Sequence, residues 1–159
     1  MVNSTCIRND KIPYTANYFK EEAFSKILEI PKDKPGIKKI LSFEVFPKVC
    51  GYKVIETEVG MSNEGQNLSG IKLLVKLKIK SRLTYVANTC SEPIYSACYD
   101  ETKTMFIILP EEINGKDICS LIKSGQISIV PYVECVETRV LKNRLFQKCV
   151  LIFLNVENV

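Results

Sequence analysis

Residues 71–82 alternate between two characters. Ile71, Leu73, Val75, Leu77 and Ile79 hold one set of alternate positions, and Lys72, Lys76, Lys78, Lys80 and Arg82 hold the other, with Leu74 as the exception. Period-two alternation predicts a strand with one face on a core and the other in water. Residues 145–156 read differently. Phe146, Val150, Ile152, Leu154 and Val156 line one face, and Leu145, Cys149, Leu151 and Phe153 line the other. A strand that is apolar on both faces is buried on both, within the domain or by a neighbouring subunit.

The remaining pattern is mostly of the same kind. Segments 42–50 and 52–60 read as strands around a turn at Gly51, and 61–70 reads as a polar loop. Residues 71–88 predict one long strand or a bent pair, and 94–109 predict two strands closed by Pro110. A loop with a helical turn at 117–123 follows. Segments 126–141 and 145–156 form a last hairpin around Lys142, Asn143 and Arg144. One segment stands apart. In 19–29, FKEEAFSKILE, the residues Phe19, Ala23, Phe24, Ile27 and Leu28 share a helical face, Glu21 and Glu22 suit the first turn, and Pro31 and Pro35 follow. A short N-terminal helix is expected there, with a short second turn at 36–41. The fold class expected is mainly β: an antiparallel sandwich or barrel-like domain over 19–159, preceded by an extended arm, 1–18.

Composition narrows the function. The chain has 159 residues, 46% of them hydrophobic, enough to bury the core of one domain. The net charge of +4 is mild, and no RNP-like or helix-turn-helix pattern accompanies it, so no nucleic-acid partner is expected. No apolar run approaches membrane-span length, so no membrane insertion is expected. The start lacks a charged stretch followed by an apolar one, which implies synthesis in the cytosol without a signal peptide. There is no histidine, which excludes Ser-His and Cys-His nucleophiles and removes the commonest neutral metal ligand. Neither Walker nor Rossmann glycine spacing occurs. No cofactor, no metal and no catalytic residue is predicted.

The stretch 30–41, IPKDKPGIKKIL, resembles the entry segment "IP-x-x-KP-D-I-x-x-IL" of the SPOCS domain family, a module of clostridial spore morphogenesis proteins. Further features follow in the family's order. Gly70 stands before a long strand, and Leu83, Tyr85, Val86 and Ala87 resemble the strand end "L-x-YVA". Residues 107–110 fall where a central strand closes, and 133–146, VECVETRVLKNRLF, resemble a closing hairpin ending in "L-x-x-R". Gly36 replaces the usual aspartate, cysteine is unusually frequent, and no LysM pattern follows. The resemblance implies a β-rich, non-catalytic assembly module deposited on the spore surface, in coat or exosporium, after synthesis in the mother cell.

Seven cysteines are present: Cys6, Cys50, Cys90, Cys98, Cys119, Cys135 and Cys149. Cys135 and Cys149, on predicted strands, read as small buried hydrophobes. Cys6 in the polar arm, Cys90 in a turn-like sequence and Cys98 are candidates for cross-links between subunits. No histidine or C-x-x-C accompanies them, which argues against zinc. The basic set Lys72, Lys76, Lys78, Lys80 and Arg82 is either a solvated face or a docking face for an acidic neighbour, with Glu134 and Glu137 as candidate counterparts.

Two readings of function follow. In the first, the chain is a structural, self-assembling protein of the spore envelope, its partners being itself and other envelope proteins, locked by intersubunit disulfides. In the second, it is a monomeric adaptor that recruits a coat protein through one sheet face. A carbohydrate-binding module is the weakest alternative: it lacks tryptophan and would depend on Tyr14, Tyr18, Tyr85, Tyr95 and Tyr99.

Overall fold

The computed structural model describes residues 2–6, 12–13 and 15–158; the side chains of residues 3–6 and 158 lie outside that description, as does all of Tyr14. The strands are β1 (Val2–Cys6), β2 (Phe19–Glu29), β3 (Ile37–Glu56), β4 (Gly60–Met61), β5 (Asn67–Leu68), β6 (Ile71–Ala87), β7 (Ile94–Leu109), β8 (Glu112–Ile113) and β9 (Lys116–Asp117). The helix α1 (Ile118–Lys123) precedes β10 (Ile127–Lys142) and β11 (Leu145–Asn158). Every pairing is antiparallel. One sheet has the order β1–β10–β11–β2 and the other β3–β6–β7; β4–β5 and β8–β9 are two-residue ladders. The larger core cluster draws Leu73, Val75 and Leu77 from β6, Met105 and Ile107 from β7, and Val150, Ile152 and Leu154 from β11, so the two sheets pack face to face as in a β-sandwich.

The alternation in 71–82 has the predicted consequence. Leu73, Val75, Leu77 and Ile79 are fully buried, each contributing about 1.5–3 kcal/mol relative to exposure. β6 is the central strand of its sheet and runs unbroken for 17 residues. α1 follows Asp117, whose carboxylate accepts from the Ser120 N–H at 2.9 Å, and it turns Ile118 and Leu121 into the core.

Several expectations are corrected. Residues 19–29 form no helix; they are β2, paired with β11 from Glu29↔Leu145 to Phe19↔Asn155. Their apolar residues fit both periods: as a strand, Phe24 lies opposite buried Val150 and Leu28 opposite buried Phe146. Strand wins because β11 is apolar on both faces and has β10 on one side only; an unpaired second edge would leave its backbone groups without partners. The only helix among the described residues is α1. Gly51 makes no turn: β3 runs straight through it for 20 residues, taking up the irregularity as a bulge between Val49 and Gly51. The turn expected at 36–41 is the start of β3, and 94–109 is one strand rather than two. Within the expected arm, Val2–Cys6 is an outer strand on β10.

The segments that carry the SPOCS resemblance converge at one end of the sandwich. Arg144, in the turn after β10, donates from Nη1 to Lys34 O at 2.8 Å and from Nη2 to Ile30 O at 2.9 Å and Pro31 O at 2.6 Å. In return Ile30 N–H donates to Arg144 O at 2.9 Å and Ile37 N–H to Asn143 O at 2.5 Å. The buried Tyr85 hydroxyl donates to Pro35 O at 2.7 Å. Gly36 is required by proximity: a Cβ there would lie 2.7 Å from the Asn143 carbonyl oxygen and closer still to its side-chain oxygen. Ile30, Ile37, Ile40, Leu83, Tyr85, Ala87 and Phe146 form a second core cluster beneath this junction.

A polar seam runs through the interior near the boundary of the two clusters. Lys148, on the inward face of β11, is completely buried, and its Nζ donates to Glu101 of β7. The Lys148 ammonium lies 5.4 Å from the Phe24 ring centre and 5.9 Å from that of Phe43. Lys26 reaches the same Glu101 at 3.7 Å, and Lys103 pairs with Glu22 at 2.8 Å. These two pairs tie β2 to the free edge of β7.

Candidate docking face

The outward positions of β6 present Lys76, Lys78, Lys80 and Arg82 exposed, with Lys72 half-buried beside Leu74. The pairing of β6 with its neighbours fixes what stands beside each. Lys76 lies between Gly51 and Thr104, Lys78 between Lys48 and Thr102, Lys80 between Phe46 and Asp100, and Arg82 between Glu44 and Cys98. Leu74 lies between Lys53 and Phe106. Lys48 and Lys53 are an odd number of residues apart and would face opposite ways on a regular strand. The bulge between Val49 and Gly51 reverses the parity, so that both face outward and widen the basic stripe.

The electrostatics are uneven along the stripe. At one end Arg82 is neutralised: its Nε and Nη2 donate to Glu44 Oε2 at 2.8 and 2.6 Å. At the other end Lys72 stands over the Phe106 ring at 5.6 Å, with Lys20 over the same ring at 5.0 Å. Between them, Lys48, Lys76, Lys78 and Lys80 have no ion-pair partner among the described residues. Lys48 and Lys78 are direct cross-strand neighbours, an arrangement of like charges that destabilises a sheet.

Cys98 stands exposed on the same face beside Arg82, and Cys90 is exposed in the β6–β7 turn; both are free thiols. Cys6 ends β1 opposite Cys135, on the other sheet, and its side chain lies outside the described residues. Glu134 and Glu137 also belong to β10, so neither lies on the basic face. Burial, with Glu21 as a second cause, raises the Glu134 carboxyl above its ordinary range. Sequence reasoning missed Cys50. It sits exposed in the bulge of β3, where its Sγ donates to Lys76 O at 3.3 Å, so free thiols flank the stripe on both sides. Of the tyrosines, Tyr85 is buried and Tyr99 donates to Glu29 O at 3.1 Å, its hydroxyl pushed by burial up to about 12. They serve the fold and form no sugar platform. Among the described residues, no three metal-ligating side chains converge.

No protein-family model matches the chain, and no curated protein or solved structure matches it.

Proposed function

We propose that the chain is a structural docking module of the bacterial spore envelope, which attaches through the basic face of the β3–β6–β7 sheet to an acidic neighbour. The observation that carries this reading is the Lys48–Lys78 rung. A sheet selected for stability alone would place an acid beside one of these lysines, as Glu44 is placed beside Arg82. The envelope location rests on the SPOCS resemblance of 30–41, 83–87 and 133–146. Recruitment through a face is favoured over assembly by strand addition, because both edges of this sheet are guarded. β3 carries Pro47 and three bulges in its ladder with β6 and has β10 close beside it, and β7 is bridged by the Glu22–Lys103 and Lys26–Glu101 pairs. Cys50 and Cys98 would lock a docked neighbour once mother-cell lysis admits an oxidant. Each thiolate would attack a low-molecular-weight disulfide, releasing one small thiol and forming a mixed disulfide. A cysteine thiolate of the neighbour then attacks the mixed disulfide, forming the cross-link and releasing the second small thiol; the small disulfide is thereby reduced by two electrons.

The test is localisation in a sporulating clostridial cell. A fluorescent fusion is expected to gather at the forespore surface, and the triple change Lys76→Glu, Lys78→Glu and Lys80→Glu to leave it dispersed in the mother cell. Circular dichroism of both purified proteins establishes that the fold is kept. If the wild-type fusion is dispersed, the envelope reading fails; if the triple variant localises normally, the basic face is not the attachment surface.

A further inference from the structure

The unpaired lysines of the docking face have a spacing and a flanking pattern that restrict what can occupy it. We propose that the occupant is an extended segment of a partner protein bearing carboxylates at three alternate positions, Asp/Glu-x-Asp/Glu-x-Asp/Glu. The proposal rests on the docking reading above and names its ligand.

Lys76, Lys78 and Lys80 are successive outward residues of one regular strand, so their Cα atoms are about 6.8 Å apart. A second extended chain laid over β6 repeats its own side chains at the same interval. Carboxylates at every second residue can each meet one lysine, whereas contiguous acids would turn half their charge away. The register has natural ends. Asp100 stands beside Lys80 itself, and past Lys80 Arg82 is already held by Glu44; beyond Lys76 comes Leu74. The rung of Lys76 is low, with Gly51 on one side and exposed Thr104 on the other, while the rung of Lys78 adds Lys48 on the β3 side and exposed Thr102 on the β7 side. A strand can therefore lie close, with threonine hydroxyls available to its carboxylates.

A single-stranded nucleic acid has a comparable charge spacing but needs aromatic platforms for its bases. This face offers few. The Phe106 ring is occupied by Lys20 and Lys72, no aromatic residue flanks Lys76 or Lys78, and only Phe46, 53% exposed, stands beside Lys80. The charge and the flanking residues thus select an acidic polypeptide.

The experiment measures fluorescence anisotropy of the full chain with three labelled probes of equal charge. These are a peptide with three glutamates alternating with threonine, its isomer with the glutamates contiguous, and a short oligodeoxythymidylate. The alternating peptide is expected to bind about tenfold more tightly than its isomer and than the oligonucleotide. Lys78→Glu is expected to weaken it about tenfold or more, and Arg139→Glu, on the opposite sheet, to have little effect. A photoreactive group on the peptide should label β3, β6 or β7. Equal affinity for the two peptides overturns the alternating-carboxylate proposal while leaving the docking reading intact, provided Lys78→Glu still weakens both. Tighter binding of the oligonucleotide overturns it in favour of a nucleic acid. If the chain alone forms oligomers that Lys78→Glu dissolves, the occupant is a second copy and the proposal falls.

Discussion

A lysine with no exposed surface is an expensive residue unless its charge is answered, and Lys148 shares its one carboxylate, Glu101, with Lys26. Burial, aided by the nearby Lys26 charge, brings the Lys148 ammonium down to about 8. From there up to the ordinary lysine range the unfolded chain holds a proton that the folded chain has released, so stability rises with pH across that window. Tyr99 acts the other way, but only above its ordinary value near 10, where the unfolded hydroxyl ionises first. Urea unfolding is therefore expected to show a gain of roughly 1–2 kcal/mol between about pH 7.5 and about pH 9.5, which Lys148→Met abolishes. An unchanged wild-type midpoint would remove Lys148 as a pH-linked group. A second prediction concerns Gly36. Substituting Gly36→Asp drives a Cβ into Asn143 and should cost about 2–3 kcal/mol. Because the side chain of Asn143 makes the closest approach, adding Asn143→Gly should return part of that loss. Thermal unfolding of both variants checks this; a double variant no more stable than the single would place the conflict with the backbone instead.

At the scale of elements, β2 decides how far the chain can be read. Its backbone lies at the edge of its sheet, so only the N–H groups turned toward β11 are bonded. Hydrogen exchange is expected to protect alternate amides through 19–29, whereas a helix would protect a continuous run after its first turn; continuous protection would overturn the strand assignment. β6 was legible because its two faces meet different solvents and its residues say so. β2 was not, because Phe19, Ala23, Phe24, Ile27 and Leu28 satisfy both periods, and the deciding force, the open side of β11, is well over a hundred residues away. The candidate face was half legible for a similar reason. The β6 lysines announced it, but Lys48, Lys53 and Cys50 join it only through a bulge whose parity change leaves no mark in composition. Lys148 shares the face of Phe146 and Val150, and nothing in the pattern of 145–156 marks it as the residue that places a charge between the sheets.

Across the whole molecule, the outward surface of the β3–β6–β7 sheet gathers basic side chains, while its edges are closed by Pro47, bulges and the β2 ion pairs. Association through a face keeps partners exchangeable and avoids open-ended strand addition. The other sheet joins the two ends of the chain, since β1 and β2 pair only with β10 and β11. On the ribosome this separates the two layers in time. The β3–β6–β7 layer has all its strands once Leu109 has emerged, whereas β2 waits for the last strand, about 2–10 seconds later at ordinary elongation rates. Throughout that interval β2 is an unpaired apolar strand, the kind of segment that nascent chains aggregate through. Lys20, Glu21, Glu22, Lys26 and Glu29, interspersed among its apolar residues, give it the charge that discourages such encounters before its native partner exists.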